Sequence, residues 1–442
     1  MKLGTLLCKR LEHLRNERLS RPALEAGQLH RFRRLVAHAQ KHSPYYADLI
    51  IQHRIDLEQC VPQDFPVLTK RNVIDNFDSL VTDRRVTRQA VLDFLATSKD
   101  PTNLYLGRYY VVHTSGSSGE VGCFVFSARD WTCGIAHGLR MHGFAPRVQR
   151  IAFFGATRGH FAGMSMVSTG RRSINRLFYR IKTFEINSPL ESVVQELNRF
   201  QPHVLIGYAT ALKILADRQE IGELRVKPYT LESSGEPLTR EDRSRLQTVF
   251  GAPLLNVYSC TEHMIMGMGR PGDDGMLLFE DDLIFELRHD HTLITNLFNR
   301  TLPLIRYRME DVLVPLDAEA GTTPFRKVRE IVGRNEYVPF LRNIHGREDF
   351  ISPHIINEFF VPGLRRFQMQ LRDKASFLFK VCLEPGLDAA GRASALAGID
   401  RRWREILAEK EMQNVAFELE EVSDLKVDAK TGKFRLVMTA PG

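Results

Sequence analysis

The chain has 442 residues, of which 43% are hydrophobic and 26% charged, and a formal net charge of +8. That length exceeds what one compact core holds and predicts two or three domains of an ordinary soluble globular protein. The 61 basic residues are mixed with 53 acidic ones and form no long run of like charge, which argues for a solvated surface and against nucleic-acid binding.

From the N-terminus, "LGTLLC" is too short for the apolar region of a signal peptide and is closed at once by Lys9 and Arg10. No stretch approaches the roughly 20 apolar residues of a membrane span. The six cysteines, Cys8, Cys60, Cys123, Cys133, Cys260 and Cys382, lie far apart, without the C-x-x-C pairs of zinc or redox sites. A cytoplasmic protein with reduced thiols and no membrane association is expected.

The first hundred residues read as helices. "LHRFRRLVAHAQKHS" sets Leu29, Phe32, Leu35, Val36 and Ala39 on one helical face and stops before Pro44. In "VLTKRNVIDNF", Thr69 offers an N-cap for a further helix. From about 108 to 300, β-rich runs ("YYVVHT", "IAFFGA", "HVLIGYA", "LLNVYS") are separated by helical segments ("LESVVQELNRF", "TREDRSRLQTVF"), which predicts α/β layers on a largely parallel sheet. Between 276 and 332 the texture changes to hairpin strands, a β-rich subdomain. After Gly333 follow strands, one helix ("AGIDRRWREILAEK") and a last strand in "GKFRLVMT". The expected architecture is a large N-terminal α/β domain, 1–335, and a small mobile C-terminal α+β domain, 336–442.

One loop stands out, "HTSGSSGEVGCFVFS" from 113 to 127. A hydrolase elbow needs G-x-S-x-G on a strand-to-helix turn, and here the second glycine arrives one residue early and a strand follows. A kinase or GTPase P-loop needs Gly-Lys-Ser/Thr opening a helix, and neither is present. What remains is either a surface hairpin or a loop whose backbone N–H groups and hydroxyls wrap phosphate oxygens.

Further motifs follow in order: "ESSGEPLT" (232–239), "NVYSCTEH" (256–263), "TNLFNRTLPLIRYRMEDV" (295–312), "IVGRNEYV" (331–338) and "KTGKFRLV" (430–437). Together with the loop they resemble the adenylate-forming superfamily of acyl-CoA ligases. Within it the chain is similar to the phenylacetate–CoA ligase-like group, which includes capsular-polysaccharide relatives. "LVAHAQKHSPYYADL" and "FPVLTKRNVIDNF" resemble that group's opening segment.

The resemblance implies roles residue by residue. Thr114, Ser115, Gly116, Ser117, Ser118 and Gly119 would close over the ATP phosphates, the glycines letting donors approach closely. Glu120 stands where a lysine is common, which weakens the expectation of strong ATP binding. Ser234, Gly235, Glu236 and Pro237 would border adenine, Tyr258 would stack on it, and Thr261 would touch phosphate. Glu262 would hold Mg²⁺. Ser259 replaces a common glycine, and Cys260 stands where the acyl pocket begins. Asp311 would accept both ribose hydroxyls, unless it forms a surface ion pair with Arg308 or Arg306. Arg334 would reach the ribose or phosphate, and the hinge would turn at 335–338, where Tyr337 replaces the family's acid beside Glu336. Lys433 resembles the catalytic lysine, with Lys426 and Lys430 as neighbouring competitors. Phe154, His160, Tyr208 and Ala209 occupy acyl-pocket positions; they could equally be core at strand ends.

The implied reaction activates a small carboxylic acid with ATP and Mg²⁺ as an acyl-adenylate, for transfer to coenzyme A. The resemblance also admits an amine or a carrier-protein thiol as acceptor, and a homodimer. Glu120, Ser259, Glu310 and Tyr337 depart from the family pattern. They leave open an ATP-independent acyltransferase or a non-catalytic scaffold in biosynthesis.

Overall fold

The computed structural model describes residues 3–114, 122–141, 148–157, 159–172, 179–273, 275–316, 323–332, 338–351, 355–356, 359, 361–425 and 436–439. Outside them lie Ser115, Gly116, Ser117, Ser118, Gly119 and Glu120 of the glycine-rich loop, Arg334, Glu336 and Tyr337 of the expected hinge, and Lys426, Lys430 and Lys433.

Helices come first: α1 (Leu3–Asn16), α2 (Arg21–His42), α3 (Pro44–His53), α4 (Lys70–Asp75), α5 (Phe77–Leu80) and α6 (Arg88–Thr97). The helix expected from Leu29 starts earlier, because Ser20 caps it and a proline fits its first turn. It ends before Pro44 as the sequence predicts, with Phe32, Leu35, Val36 and Ala39 buried. Thr69 caps α4, its hydroxyl accepting from Asn72 N at 3.2 Å.

β1 (Tyr109–His113) and β2 (Cys123–Ser127) then form an antiparallel hairpin, with Tyr109 opposite Ser127 at one end and His113 opposite Cys123 at the other. In α7 (Ala128–Ala136), buried Trp131 stacks on Tyr110 with ring centroids 4.6 Å apart.

Next, β3 (Gln149–Gly155), α8 (Ala162–Arg172), β4 (Tyr179–Glu185), α9 (Leu190–Phe200), β5 (Val204–Gly207), α10 (Ala209–Glu220), β6 (Thr230–Ser234), α11 (Arg240–Phe250) and β7 (Leu254–Cys260) alternate along the chain. Their five strands are mutually parallel, in the order β7-β6-β5-β3-β4. Helix α9 shows why: Leu190, Val193, Val194 and Leu197 recur at helical spacing and are buried.

The remaining strands of this region are β8 (Met264–Gly269), β9 (Met276–Leu278), β10 (Leu283–Leu287), β11 (Thr292–Asn296), β12 (Tyr307–Met309), β13 (Val312–Pro315) and β14 (Lys327–Val332). The hairpin texture divides in two. β8, β9, β14 and β13 extend the parallel set antiparallel into one nine-stranded sheet, while β10, β11 and β12 form a three-stranded sheet. The central sheet is therefore mixed.

The C-terminal part holds β15 (Phe340–Arg342), β16 (Glu348–Phe350), β17 (Leu364–Leu371), β18 (Ser376–Leu383), α12 (Ala389–Glu409), β19 (Ala416–Glu421) and β20 (Val437–Thr439). Four of these strands make a sheet of order β19-β18-β17-β20. Trp403 of α12 packs among Phe359, Phe377 and Phe379. An α/β region followed by an α+β layer is the expected class. One apolar cluster joins Leu197 and Leu212 to Leu341, Phe350 and Trp403. Asp349 caps α9, Leu190 N donating to its Oδ2 at 2.9 Å, where Pro189 offers no side-chain cap. Buried Lys410 donates to Asp349 Oδ1 at 3.1 Å and to the Ser188 carbonyl at 3.2 Å.

The acids Glu280, Asp281 and Asp282 are fully buried under α1 and α2. Lys9 Nζ meets Asp282 Oδ1 at 2.6 Å, and His13 Nε2 and His137 Nε2 each lie 3.1 Å from its Oδ2. Arg140 pairs with Asp281, and Arg21 and Arg326 pair with Glu280. This polar hub fastens the N-terminal helix to the start of β10.

Candidate active site

Parallel strands β3, β5, β6 and β7 end at Gly155, Gly207, Ser234 and Cys260, and in open α/β sheets ligands bind outside these carboxyl ends. Several of the sequence-predicted residues converge there. Tyr258, near the end of β7, donates its hydroxyl to Asp311 Oδ2 at 2.8 Å. The competing ion pairs do not form, because Arg308 pairs with Glu310 and Arg306 with Glu286. Asp311 stands between β12 and β13, and its carboxylate has acceptor positions beyond the one that Tyr258 uses.

Glu262 lies in the turn joining β7 to β8. It is buried and accepts from the Tyr307 hydroxyl at 3.2 Å. Burial raises its pKa, and the ammonium of Lys70 is the foremost influence acting the other way. Lys70 opens α4, more than forty residues before the glycine-rich loop. A Cβ on Gly122 would come within 3.2 Å of both Lys70 Cε and Thr114 Oγ1, so this lysine runs beside the base of the loop. Thr114 N donates to the Gly122 carbonyl at 2.8 Å, and Gly122 N donates to Thr114 Oγ1 at 3.0 Å, which closes the loop's neck. Sequence reasoning saw Thr69 as a cap and missed Lys70, because nothing local links it to the loop.

Cys260 Sγ accepts from His263 N at 3.3 Å, and burial holds its thiol well above the ordinary range. His263 is fully buried, neither ring nitrogen meets a hydrogen-bond partner among the described residues, and burial lowers its pKa to about 3. Ser259, on β7, and Thr261, in the turn, stay partly exposed.

Ser234 pairs in register with Val257, the residue before Tyr258. Gly235 has φ of +78°, and a Cβ there would approach Tyr208 Cδ1 to 3.2 Å; glycine lets the backbone turn against that ring. Glu236 accepts from Thr210 N at 2.7 Å and from the Thr210 hydroxyl, so it caps α10, whose preceding residue Tyr208 provides no side-chain cap. Pro237 is exposed beside it.

The expected acyl-pocket residues fall in two places. Tyr208 Oη accepts from Ala156 N at 3.3 Å, and Ala209 begins α10 beside it, both near the end of β3. Phe154 is enclosed in the core. His160 is buried behind β1, with Nε2 3.0 Å from Ser98 Oγ and the ring against Phe94. The structure thus gathers Thr114, Lys70, Tyr258, Cys260, Glu262 and Asp311, sets Ser234 to Pro237 on the adjoining strand end, and leaves Phe154 and His160 in the surrounding packing.

Protein CapK of Staphylococcus aureus is 24% identical over 343 residues, covering 70% of this chain and 67% of that protein. Phenylacetate-coenzyme A ligase of Escherichia coli (strain K12) is 24% identical over 358 residues, 73% of this chain and 74% of that protein. Among solved structures, 2-hydroxyisobutyryl-CoA ligase in complex with 2-HIB-AMP and CoA superposes with a TM-score of 0.62 at 18% identity, covering 96% of this chain and 91% of that one. The chain has the fold of the adenylate-forming ligases. No family model matches it. The likeness carried by the ordered motifs is borne out, since its homologues include a phenylacetate–CoA ligase and CapK. In this fold Tyr258, Cys260, Glu262 and Asp311 lie at strand ends of the large sheet, with Lys70 of α4 and Thr114 at the hairpin that carries the glycine-rich loop.

Proposed function

We propose that the chain is an AMP-forming acid–thiol ligase that activates a small carboxylic acid as its acyl-adenylate and passes the acyl group to coenzyme A. The observation that carries this reading is the pairing of Tyr258 with Asp311 beside buried Glu262 and Lys70, at the neck of a glycine-rich loop. Asp311 would hold the ribose diol, with Tyr258 fixing the carboxylate and presenting its ring to adenine. Lys70 and the amides and hydroxyls from Thr114 to Gly119 would gather phosphate oxygens. As the acid's carboxylate oxygen attacks the α-phosphorus, the bond to the pyrophosphate oxygen breaks, and these donors meet the charge moving onto the leaving group.

Glu262 suits Mg²⁺: burial raises the pKa of this carboxylate by more than the ammonium of Lys70 lowers it, and magnesium is typically held by one carboxylate together with phosphate oxygens. Bound there, the ion would neutralise phosphate charge. Residues 336–442 would form a lid that turns about 335–338 and delivers Lys433 to the α-phosphate.

The test is pyrophosphate release with ATP and Mg²⁺ across aryl, fatty, hydroxy and amino acids, without coenzyme A. Release dependent on one acid class supports adenylation and identifies the substrate type; silence with every acid, together with no ATP binding in calorimetry, overturns it. Lys433→Ala should abolish release while ATP affinity stays within a few-fold, and near wild-type release in that variant removes Lys433 from its role.

A further inference from the structure

A cavity of about 610 Å³ opens at the other end of the β1–β2 hairpin. Tyr109 and Ser127, paired across the hairpin, line it, whereas the glycine-rich loop leaves from the His113–Cys123 end. Four strand steps, roughly 13 Å, separate the two ends. The cavity is a second place, not an extension of the candidate active site.

Its wall carries positive charge without matching acids. Arg84 follows α5, Arg108 precedes β1, Arg129 lies in the first turn of α7, and Arg300 follows β11. None of these four has a carboxylate partner within ion-pair distance among the described residues. Two acids lie in the same wall, and both are engaged. Asp83 is held by Arg85 at 2.6 Å and by the Tyr109 hydroxyl at 2.6 Å. Asp130 Oδ2 accepts from the Thr301 hydroxyl at 2.6 Å and from Ser127 N at 3.2 Å. His38 adds a ring nitrogen 3.2 Å from the Arg300 carbonyl, with His42 beside it. Burial, and then the charges of Arg129 and Arg34, lower the pKa of Arg300, which is what a guanidinium short of counter-charge shows.

Guanidinium groups on a solvated surface normally spread apart or pair with acids. Four of them, from four separate segments, share one concavity here and keep neither arrangement. Each can grip phosphate oxygens with a two-pronged fork. The volume lies in the range of small-ligand sites and exceeds what a single phosphate fills. We propose that this cavity binds a small ligand bearing two or more phosphate groups, at a site separate from the nucleotide site. The proposal does not rest on the ligase reading.

Inorganic pyrophosphate is the probe, titrated into the full chain by calorimetry at low and moderate salt. Wild type should bind it more tightly than orthophosphate, with affinity falling as salt rises. Arg129→Gln/Arg300→Gln should weaken binding at least tenfold, whereas Ser117→Ala, in the glycine-rich loop, should leave that binding in place. Because Arg300 is partly buried, the exposed pair Arg84→Gln/Arg129→Gln serves as a second variant, with the same loss expected at an unchanged melting temperature. No binding by wild type, orthophosphate binding as tightly as pyrophosphate, loss only in Ser117→Ala, or wild-type affinity in both arginine variants would each overturn the proposal.

Discussion

Two buried acidic groups of this protein are treated in opposite ways. Beneath α1, Asp282 receives an ammonium and two imidazoles, and its pKa sits well below the ordinary carboxylate range, with Lys9 the foremost cause against burial. At the candidate active site Glu262, just as buried, accepts from one tyrosine hydroxyl, and burial raises its pKa despite the ammonium of Lys70. Saturation of a buried charge fixes structure; leaving it short of counter-charge keeps it available to a cation or a substrate. The first acid serves the fold, and the second, under the proposed function, would serve the chemistry, although both lie in the same half of the chain.

The largest effect that sharpens this contrast is expected at the hub. Asp282→Asn takes from Lys9 its buried partner, leaving it the partly exposed Glu12 at 2.9 Å, and removes the acceptor shared by two buried imidazoles; it should cost about 3–5 kcal/mol in urea unfolding. A loss under 1 kcal/mol would make the hub ornamental and break the comparison. The hub should also respond to acid. His13 has its pKa lowered to about 4, first by burial, so the unfolded chain binds the extra proton between pH 6.5 and 4. Its contribution to stability is therefore complete above pH 6.5 and disappears as pH falls through that window, by roughly 3 kcal/mol. Unfolding of His13→Gln followed over the same range should show a visibly flatter profile than wild type.

Glu262→Gln tests the other side. Pyrophosphate release should fall by about a hundredfold or more, equivalent to roughly 2.7 kcal/mol of barrier. Stability should hold or improve at pH 8, since a raised folded pKa means that the charged form opposes folding above it. A strongly destabilised variant would put Glu262 with the hub acids. The smallest effect is expected for Tyr258→Phe, which removes the hydroxyl donor to Asp311 Oδ2. The KM for ATP should rise several-fold, about 1 kcal/mol, with little change in kcat.

Much of the architecture was legible in the sequence because it rests on short-range patterns. The face of α2, the cap at Thr69 and three of the five parallel strands, β3, β5 and β7, follow from periodicity and punctuation, whereas "YYVVHT", which reads like them, pairs antiparallel in the separate β1–β2 hairpin. Tyr258, Glu262 and Asp311 were legible through ordered motifs, and their meeting needed only strand ends to fall side by side. Lys70 was not, since its approach to Gly122 is a long-range contact that leaves no local trace. The hub was hidden for the same reason: "EDD" at 280–282 reads as a solvated run until Lys9, His13 and Arg140 are folded over it. Glu236 was read with the adenine segment, and only the fold shows its carboxylate turned onto the first residues of α10.

The two tryptophans of the chain are divided between its parts. Trp131 lies flat on Tyr110 of the hairpin that carries the glycine-rich loop, and Trp403 lies among the phenylalanines of the C-terminal layer. The protein thus carries one native fluorophore in each region. Substituting either with phenylalanine leaves an unlabelled molecule whose emission reports from the other alone, so a stopped-flow experiment would read the response of the hairpin and that of the C-terminal layer separately, as the proposed function requires.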